Sequence, residues 1–344
     1  MNRFFSILET IGKILLVLIP LLTAVYFLGP KPAPPVFDPP TSANLAAKSL
    51  LDIEKTLVES ENSVPDIKPD CKAHIVWADS TKKEKTKVAM IYLHGFGASH
   101  KEGSPVDEDL ARRFGCNIYL ARLAEHGIET GAKNENLAKF TAKNYYDSAE
   151  RSLEIAKQLG DSVVILAQSG GGAMGLFLAS RHPEIKGLIL YSPAVQVFRK
   201  DAQLLGGPWG LQLGHLVEGD CHDWVFRKPQ QAKYWTNHQR FEGIVQFTTF
   251  QKYAMIPETF TKIKCPVFMG YYYENEEKQD NVVSVAAMKT MYEQLGTPQY
   301  LKREMNFKNT KAHVITSDLT TDDWQTVEAE SAKFMQEILG MKAK

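Results

Sequence analysis

The stretch over residues 162–175 constrains the fold more than any other part of the chain. A β-branched, apolar run leads directly into Gln168 and Ser169, and three glycines follow before a helix-compatible segment. A strand, a tight turn and a helix in this order form a nucleophile elbow, whose strained turn lifts a serine hydroxyl clear of the sheet. Ala167 stands where the usual pattern has glycine, and Gly171 fills the second small position. We therefore predict that Ser169 is a nucleophile at a strand-to-helix elbow.

A plainer interpretation of the glycine cluster is a flexible loop or a phosphate-binding turn. A phosphate-binding loop requires a lysine followed by serine or threonine, and no such pair follows Gly172. The loop interpretation stays open on this motif alone, so the rest of the chain must supply the partners that a serine nucleophile needs.

Composition indicates a globular protein without affinity for nucleic acid. Of the 344 residues, 44% are hydrophobic and 23% are charged, which suffices for a normal core. Forty basic residues balance forty acidic ones, so no broad basic field can attract a phosphate backbone. The length fits one large α/β domain with an insertion, or two small domains. We expect no nucleic-acid partner, and the sequence does not predict an oligomeric state.

The segment over residues 1–30 has the composition of a membrane anchor or a signal sequence, because residues 14–28 carry no charge. A spanning helix needs about 20 mostly apolar residues and a signal-peptide core about 7 to 15, so the length allows both. Bulky Tyr26, Phe27 and Leu28 occupy the place where a cleavage site needs small residues. This favours an uncleaved transmembrane signal-anchor helix, with a buried core helix as an alternative.

Charges around this segment predict its orientation. Arg3 and Lys13 precede most of the apolar run, whereas Lys31 and Asp38 nearly cancel after it. The positive-inside rule then places the amino terminus in the cytoplasm and the following chain outside. Prolines over residues 31–43 are typical of a stiff spacer. We predict a membrane-anchored protein with an extracytoplasmic catalytic domain, and secretion after signal cleavage is the alternative.

Apolar segments alternate with helical patterns after the spacer. Strands are predicted at residues 74–77, 88–93, 117–120, 162–168, 187–192 and 266–270, and helices at 44–59, 104–114 and 145–159. This alternation indicates the α/β class, with a doubly wound and mostly parallel sheet. We assign residues 44–344 to this domain.

The alternation stops between about residues 195 and 264, in a segment that carries Trp209, Trp224 and Trp235. In a fold with an elbow serine, an insertion here forms a cap, and its aromatic side chains line an apolar pocket. We predict that the three tryptophans contact the substrate. A helical subdomain with its own aromatic core is an alternative that is compatible with the first.

A serine nucleophile needs a histidine base and an acid that holds the histidine tautomer, and elbow folds supply them in the order serine, acid, histidine. His313 is the only histidine among the last hundred residues and lies in a loop before the final helix. Asp280 follows a predicted strand, and the two valines at residues 282–283 give a hydrophobic stop. We predict Asp280 as the acid. Three competitors lie nearer the strand end, namely Glu274, Glu276 and Glu277.

The charge that develops on the carbonyl oxygen of a substrate needs two backbone N–H donors, the oxyanion hole. Phe96 follows His94 and Gly95 after a predicted strand, and Gly170 follows Ser169, so both occupy the expected positions. We expect only the amides of Phe96 and Gly170 to matter. His94 is interpreted as a brace of the loop.

These motifs together resemble α/β-hydrolases of the serine carboxylesterase and monoacylglycerol lipase group. Similar sequences stand in the same order at residues 94–96, 122–127, 167–171, 279–283 and 312–316. Ala167 and Glu125 replace glycines of the family pattern, and an insertion over residues 271–278 leaves the position of the acid open between Asp280 and Glu274. The resemblance implies an α/β-hydrolase fold with a cap.

The resemblance also implies a serine hydrolase that cleaves a carboxylic ester through an acyl-enzyme. A lipid-like or other apolar acyl group and the absence of a cofactor belong to this expectation. Amide or peptide hydrolysis by the same triad stays open, because the fold hosts many chemistries. Outside enzymes, the alternative is a membrane-tethered binding protein that has the fold without turnover, and the presence of all three triad residue types argues against it.

The remaining histidines and cysteines predict no metal site. His215 and His222 lie among carboxylates, but their spacing of seven is not a helical pair of ligands. Four cysteines are widely spaced, at Cys71, Cys116, Cys221 and Cys265. They form no zinc pattern, and up to two disulfides of unpredicted pairing are compatible with an oxidising compartment.

Overall fold

The structure, a computed structural model, describes residues 2–40, 49–131 and 135–344. Its strands are β1 (His74–Val76), β2 (Thr86–Leu93), β3 (Asn117–Leu120), β4 (Gly160–Gln168), β5 (Gly187–Tyr191), β6 (Cys221–Asp223), β7 (His238–Arg240), β8 (Val267–Tyr271) and β9 (Lys302–Asn306). Seven strands form one sheet in the order β1, β3, β2, β4, β5, β8, β9, in which only β1 runs antiparallel to its neighbour. This confirms the predicted doubly wound, mostly parallel sheet.

Helices cover both faces of the sheet. They are α1 (Asn2–Phe27), α2 (Leu50–Ser63), α3 (Val106–Phe114), α4 (Ala142–Leu159), α5 (Ser169–Ala179), α6 (Gly210–Glu218), α7 (Phe241–Ala254), α8 (Pro257–Lys262), α9 (Val285–Gln294) and α10 (Trp324–Glu337). Strand side chains alternate between two cores, with Ile91 and Ile165 in one and Tyr92 and Leu166 in the other. Helices α3 and α10 pack on the second face, and α2, α4, α5, α7, α8 and α9 pack on the first.

The central strands β2 and β4 bring two sequence motifs together. They run parallel, and their last pair in register joins Leu93 to Ala167. The carboxyl ends of parallel strands lie at the same edge of a sheet, so the loop that begins at His94 lies beside the turn at Ser169. The fold thus places the predicted oxyanion loop next to the predicted elbow.

Two regions differ from the secondary structure that the sequence predicts. Strand β9 was not predicted, because its residues Lys302–Asn306 are mostly polar and lack an apolar alternation. It pairs with β8 at the edge of the sheet, where charged side chains are usual. The cap also contains the antiparallel hairpin of β6 and β7, which the sequence did not indicate.

Helix α2 agrees with the later part of the helix predicted over residues 44–59, and residues 44–48 of that prediction lie outside the described residues. The helix begins after Ser49, whose hydroxyl accepts a hydrogen bond from the amide of Asp52 at 3.1 Å. This is an ordinary N-terminal cap, which satisfies one of the free amides of the first turn.

Helix α1 contains a segment, Phe4–Phe27, that is long and apolar enough to cross a membrane. The most apolar 18 residues of this segment have a mean hydropathy of 2.0, and none of them is buried against the domain. A signal sequence near an amino terminus has the same properties. The helix is therefore a candidate membrane anchor or signal sequence.

The predicted spacer lies on the domain over its described part, residues 31–40, instead of extending away from it. The Phe37 ring packs against the rings of Tyr146, Phe177 and Phe250, with centroids 5.5, 4.8 and 6.0 Å away. The Phe37 carbonyl oxygen accepts a hydrogen bond from Arg181 at 2.8 Å. Burial of one aromatic ring is the physical reason, since it removes a large apolar area from water.

Candidate active site

The elbow at Ser169 has the strained geometry that its sequence predicts. Strand β4 ends at Gln168 and α5 begins at Ser169, which adopts a φ of +53°. This left-handed conformation is uncommon for a residue with a side chain. Gly171 is required by packing, because a Cβ there would lie 2.0 Å from the carbonyl oxygen of Leu93. Ala167 is fully buried without needing to be glycine.

Asp280 and His313 form a close pair. Nδ1 of His313 lies 2.6 Å from Oδ2 of Asp280, whose side chain is fully buried. The other carboxylate oxygen accepts hydrogen bonds from the amides of Val282 and Val283, at 2.9 and 3.1 Å. The backbone of the two valines therefore orients the acid. Their amides do this directly, whereas the sequence suggested only a hydrophobic stop.

The inserted segment before Asp280 folds out of the way of this pair. Its ends return to each other through a bridge between Tyr273 and Gln279, and the Asp280 amide donates to the Tyr272 carbonyl oxygen at 3.1 Å. Glu274 lies on the outward turn, where it pairs with Lys278 at 3.5 Å. The structure thus brings Asp280, and not Glu274, to His313.

The second ring nitrogen of His313 is available as a hydrogen-bond acceptor, because Nδ1 bonds to Asp280. Nε2 is buried and has no hydrogen-bond partner among the described residues. Its loop is tied to the elbow, since Gln168 donates to the carbonyl oxygen of His313 at 3.1 Å. Burial lowers the pKa of His313, but the charge and hydrogen bond of Asp280 raise it by more, so the pKa lies above its ordinary 6.5.

The two predicted oxyanion amides are adjacent. A Cβ placed on Gly170 would lie 2.9 Å from the amide nitrogen of Phe96. Gly170 is the second residue of α5, and the first four amides of a helix have no partner within it. The Phe96 ring also has a function in packing, because it stacks on Phe247 with centroids 4.8 Å apart and meets Phe140 edge-on. The sequence had indicated a role for the Phe96 amide alone.

His94 braces the oxyanion loop in the way that the sequence suggested. The Leu123 amide donates to Nε2 of His94 at 3.0 Å, so Nδ1 carries the proton and donates to the Gly95 carbonyl oxygen at 2.9 Å. Burial lowers the pKa of His94 well below its ordinary value, so the ring stays neutral. A neutral ring with both nitrogens paired fixes the loop.

Comparison with known proteins agrees with this architecture. A family model described as the alpha/beta hydrolase fold matches residues 88–253, which include the oxyanion loop and the elbow. This match and the sheet topology show that the chain has the α/β-hydrolase fold. Over 124 residues it is 28% identical to a thermostable monoacylglycerol lipase of Bacillus sp. (strain H-257), a match that covers 36% of this chain. The chain spans about half, 48%, of the length of that curated relative.

Solved structures of hydrolases share the fold at low sequence identity. One is from a study of LipS and LipT, two metagenome-derived lipolytic enzymes, with a TM-score of 0.63, 19% identity, and coverage of 79% of this chain and 100% of that one. Another is a soluble variant of monoglyceride lipase from Saccharomyces cerevisiae in complex with a substrate analogue, with a TM-score of 0.57, 14% identity, and coverage of 77% and 90%. Together with the Bacillus relative, they confirm the predicted resemblance to the lipase and esterase group.

The three tryptophans lie in different places. Trp209 packs against α1, and Trp224 is 42% exposed and donates to Gln239 at 3.1 Å. Trp235 is the one that reaches the site, where its indole faces the carboxyl group of Glu102. Their predicted contact with substrate remains a prediction, and the geometry favours Trp235 among them.

Glu102 is a site residue that sequence reasoning missed. It is 2% exposed, and its carboxylate accepts a hydrogen bond from the Gly95 amide at 2.5 Å. Its only signal in the sequence is an acidic residue seven positions after Gly95 in an otherwise polar loop. Nothing in a spacing of seven predicts that the chain folds back onto the oxyanion loop.

A cavity of about 560 Å³ lies between α1 and the cap. The last turn of α1 contributes Tyr26 and Phe27, and α7 contributes Gln251, one turn beyond Phe247. Leu204 and Met255 add apolar surface. The cavity is therefore apolar for the most part and adjoins the candidate membrane helix.

The cap histidines pair with carboxylates. His222 contacts Glu218, and the two ring nitrogens of His215 lie 4.0 Å from Asp220 and 3.9 Å from Glu242. No group of three or more histidine, cysteine, aspartate or glutamate side chains in the described ranges is arranged to hold a metal ion. All four cysteines are free thiols.

Proposed function

We propose that this chain is a membrane-anchored serine hydrolase that cleaves a carboxylic ester with an apolar acyl group through an acyl-enzyme. The observation that carries the proposal is the 2.6 Å pair of Asp280 and His313, which Gln168 links to the strained elbow at Ser169. A serine, a histidine and a buried acid in this arrangement are the requirements of nucleophilic catalysis.

In the proposed acylation step, Oγ of Ser169 attacks the ester carbonyl carbon while Nε2 of His313 takes the hydroxyl proton. Asp280 holds the proton on Nδ1 and stabilises the imidazolium that forms. The amides of Phe96 and Gly170 donate to the oxyanion. Collapse of the tetrahedral intermediate expels the alcohol, which receives its proton from His313. Water then attacks the acyl-enzyme by the same route and releases the carboxylic acid.

Two observations support an apolar acyl group. The rings of Phe96, Phe247 and Phe140 pack directly beside the predicted oxyanion amides, so a substrate carbonyl there would have aromatic surface at its side. The Bacillus relative carries the name of a monoacylglycerol lipase. Buried aromatic surface binds hydrocarbon chains through the removal of apolar area from water.

The contact between α1 and the cap supports a retained helix over a cleaved signal. Trp209 donates to the carbonyl oxygens of Val25 and Pro30, at 3.1 and 2.7 Å, so cleavage after α1 would remove partners of the cap. The charge pattern then favours an extracytoplasmic catalytic domain.

A fluorophosphonate probe and 4-nitrophenyl esters of graded acyl length test the proposal on the full chain in detergent micelles. We expect the wild type and Ser180→Ala to be labelled and to turn over ester, and Ser169→Ala to do neither. Ser180 is a matched control, because it lies at the other end of α5. A folded wild type that is neither labelled nor active would indicate a binding protein. Labelling with cleavage of amides but not of esters would indicate the amide alternative.

A further inference from the structure

Glu102 contacts two catalytic loops at once. It ends a short 3-10 turn, His100–Glu102, and its carboxylate accepts the Gly95 amide of the oxyanion loop at 2.5 Å. Its backbone carbonyl oxygen accepts a hydrogen bond from the hydroxyl of Thr316 at 2.8 Å. Thr316 belongs to the loop that carries His313. One buried residue thus joins the loop of the oxyanion amides to the loop of the base.

The carboxyl group of Glu102 also lies beside the nucleophile. A Cβ on Gly95 would be 2.8 Å from Oε1 of Glu102 and 3.0 Å from Cβ of Ser169, so only the glycine separates the two side chains. The indole of Trp235 faces the same carboxyl group from the cap. Glu102 therefore lies where the elbow, the oxyanion loop and the cap meet.

Electrostatics link Glu102 to the base. Burial raises the pKa of Glu102 to about 7, against the hydrogen bond from Gly95 and the charge of His313, which lower it. Asp280 and Glu102 both raise the pKa of His313. The other titratable groups that face Glu102 are the hydroxyls of Tyr92 and Tyr145, both fully buried and neutral at ordinary pH.

We propose that Glu102 is a positioning residue that holds the oxyanion loop through Gly95 and whose charge stabilises the protonated form of His313. The carboxylate fixes the peptide of Gly95, and the next peptide in the chain carries the Phe96 amide, so the direction of that donor depends on the contact. A negative charge close to the imidazolium lowers the free energy of the state in which His313 holds the serine proton. This inference rests on the proposed function, since it assigns a role within that site.

The test compares Glu102→Gln with Asp107→Asn on the full chain in detergent micelles. Asp107 is a matched control, because it is 1% exposed, burial raises its pKa to about 8, and its side chain has its hydrogen bond with the Glu108 amide. The readouts are kcat and KM for a short 4-nitrophenyl ester, and the second-order rate constant of fluorophosphonate labelling, each as a function of pH. Thermal unfolding of every variant reports on folding.

We expect Glu102→Gln to lower kcat by about 10- to 100-fold with little change in KM, less than the full loss of an oxyanion donor. The acid limb of the pH profile moves to lower pH, since loss of the negative charge lowers the pKa of His313. Asp107→Asn leaves kcat and the acid limb of the pH profile unchanged. Glu102→Asp separates the two parts of the role: it retains the charge but is too short for Gly95, so kcat falls while the acid limb stays in place.

Different outcomes refute the inference and the proposed function. A wild type that is labelled and active, with a Glu102→Gln variant of the same kcat and pH profile, overturns the role of Glu102 alone. An equal loss of kcat in Asp107→Asn overturns the role of Glu102 too, because removal of any buried carboxyl group would then explain the loss. If Glu102→Gln does not fold, a Glu102→Asp variant with wild-type kcat overturns the positioning role. A folded wild type that is neither labelled nor active refutes the proposed function itself.

Discussion

The indole nitrogen of Trp209 donates a hydrogen bond to the carbonyl oxygen of Val25 at 3.1 Å and joins the cap to the last turn of α1. Trp209 has a φ of +62°, a left-handed conformation that is costly for a residue with a side chain. Such strain persists only where the surroundings impose it, and here the Trp209 amide is also bonded to the Pro30 carbonyl oxygen at 2.7 Å. The cap and the amino-terminal segment therefore behave as one packed unit.

The first prediction concerns this contact. Trp209→Ala removes the indole donor and the ring that packs over Gly29, so the segment over residues 28–40 should become more accessible. We expect limited proteolysis in that segment to accelerate severalfold, while hydrolysis of a short, soluble ester changes little. Trp224→Ala is the control, since Trp224 is 42% exposed and its indole donates to Gln239 of the cap instead of to α1. Equal proteolysis of both variants would mean that Trp209 does not hold the segment.

The second prediction distinguishes the two acids. Asp280→Asn retains the shape of the side chain but cannot stabilise the His313 imidazolium, so kcat should fall by about 10⁴-fold. Glu274→Gln, on the outward turn, should leave kcat within about twofold of wild type, in keeping with a weak surface ion pair. Steady-state kinetics of both variants measures this. Loss of turnover in Glu274→Gln with an active Asp280→Asn would exchange the two assignments.

The pair of Asp280 and His313 also indicates how far sequence reasoning reaches. Chain order and local motif were enough to predict that these two residues come together, because elbow folds supply the acid and the histidine in a fixed order. Their catalytic roles stay predictions. The hydrogen bonds that orient the acid were not predictable. They come from the amides of Val282 and Val283, which follow the turn that the inserted segment forms. Every residue except proline has a backbone N–H group, so the residue types do not reveal which amides will donate to the acid.

Contacts between distant segments account for the other differences. Glu102 meets Gly95 and Trp235 only because the chain folds back and the cap closes over it. The half-buried Phe37 ring packs against three aromatic side chains from α4, α5 and α7, which turns part of a proline-rich spacer into a packed segment. The parallel sheet was predictable because each strand shows as an apolar run in its own stretch of sequence. Contacts between distant segments leave no such run, so the sequence did not predict them.

The third prediction concerns the pH dependence of turnover. In the proposed mechanism only the neutral imidazole of His313 takes the proton from Ser169, and the pKa of His313 is raised above 6.5. The value of kcat/KM should therefore rise with pH through an apparent pKa higher than 6.5 and level off above it. In Asp280→Asn the residual activity should show a midpoint at lower pH, because the charge that raises the pKa is gone. A wild-type midpoint below 6 would contradict the geometry of the pair.

The last prediction concerns stability, through the buried carboxyl group of Asp107. Burial raises its pKa from 3.8 to about 8, and Oδ2 has no hydrogen-bond partner among the described residues. Between these two values the native state holds a proton that the unfolded state releases, so the free energy of unfolding falls as pH rises. The asparagine of Asp107→Asn has nearly the same shape as aspartate and carries no charge at any pH. The substitution therefore removes this fall in the free energy of unfolding.

We therefore expect the Tm of Asp107→Asn to exceed that of the wild type at pH 8 by a few degrees, on the order expected for about 1 kcal/mol in a chain of this size. The difference should shrink towards pH 4, because the unfolded-state carboxyl takes up its proton around its ordinary pKa of 3.8 and then matches the protonated native state. Scanning calorimetry of the full chain in detergent at both pH values measures it. Asp161→Asn is the control, because its side chain is 73% exposed and its substitution should not give this pH dependence. A variant that is less stable than the wild type at pH 8 would show that the Asp107 carboxylate is charged and compensated, which would contradict the rise in its pKa that burial causes.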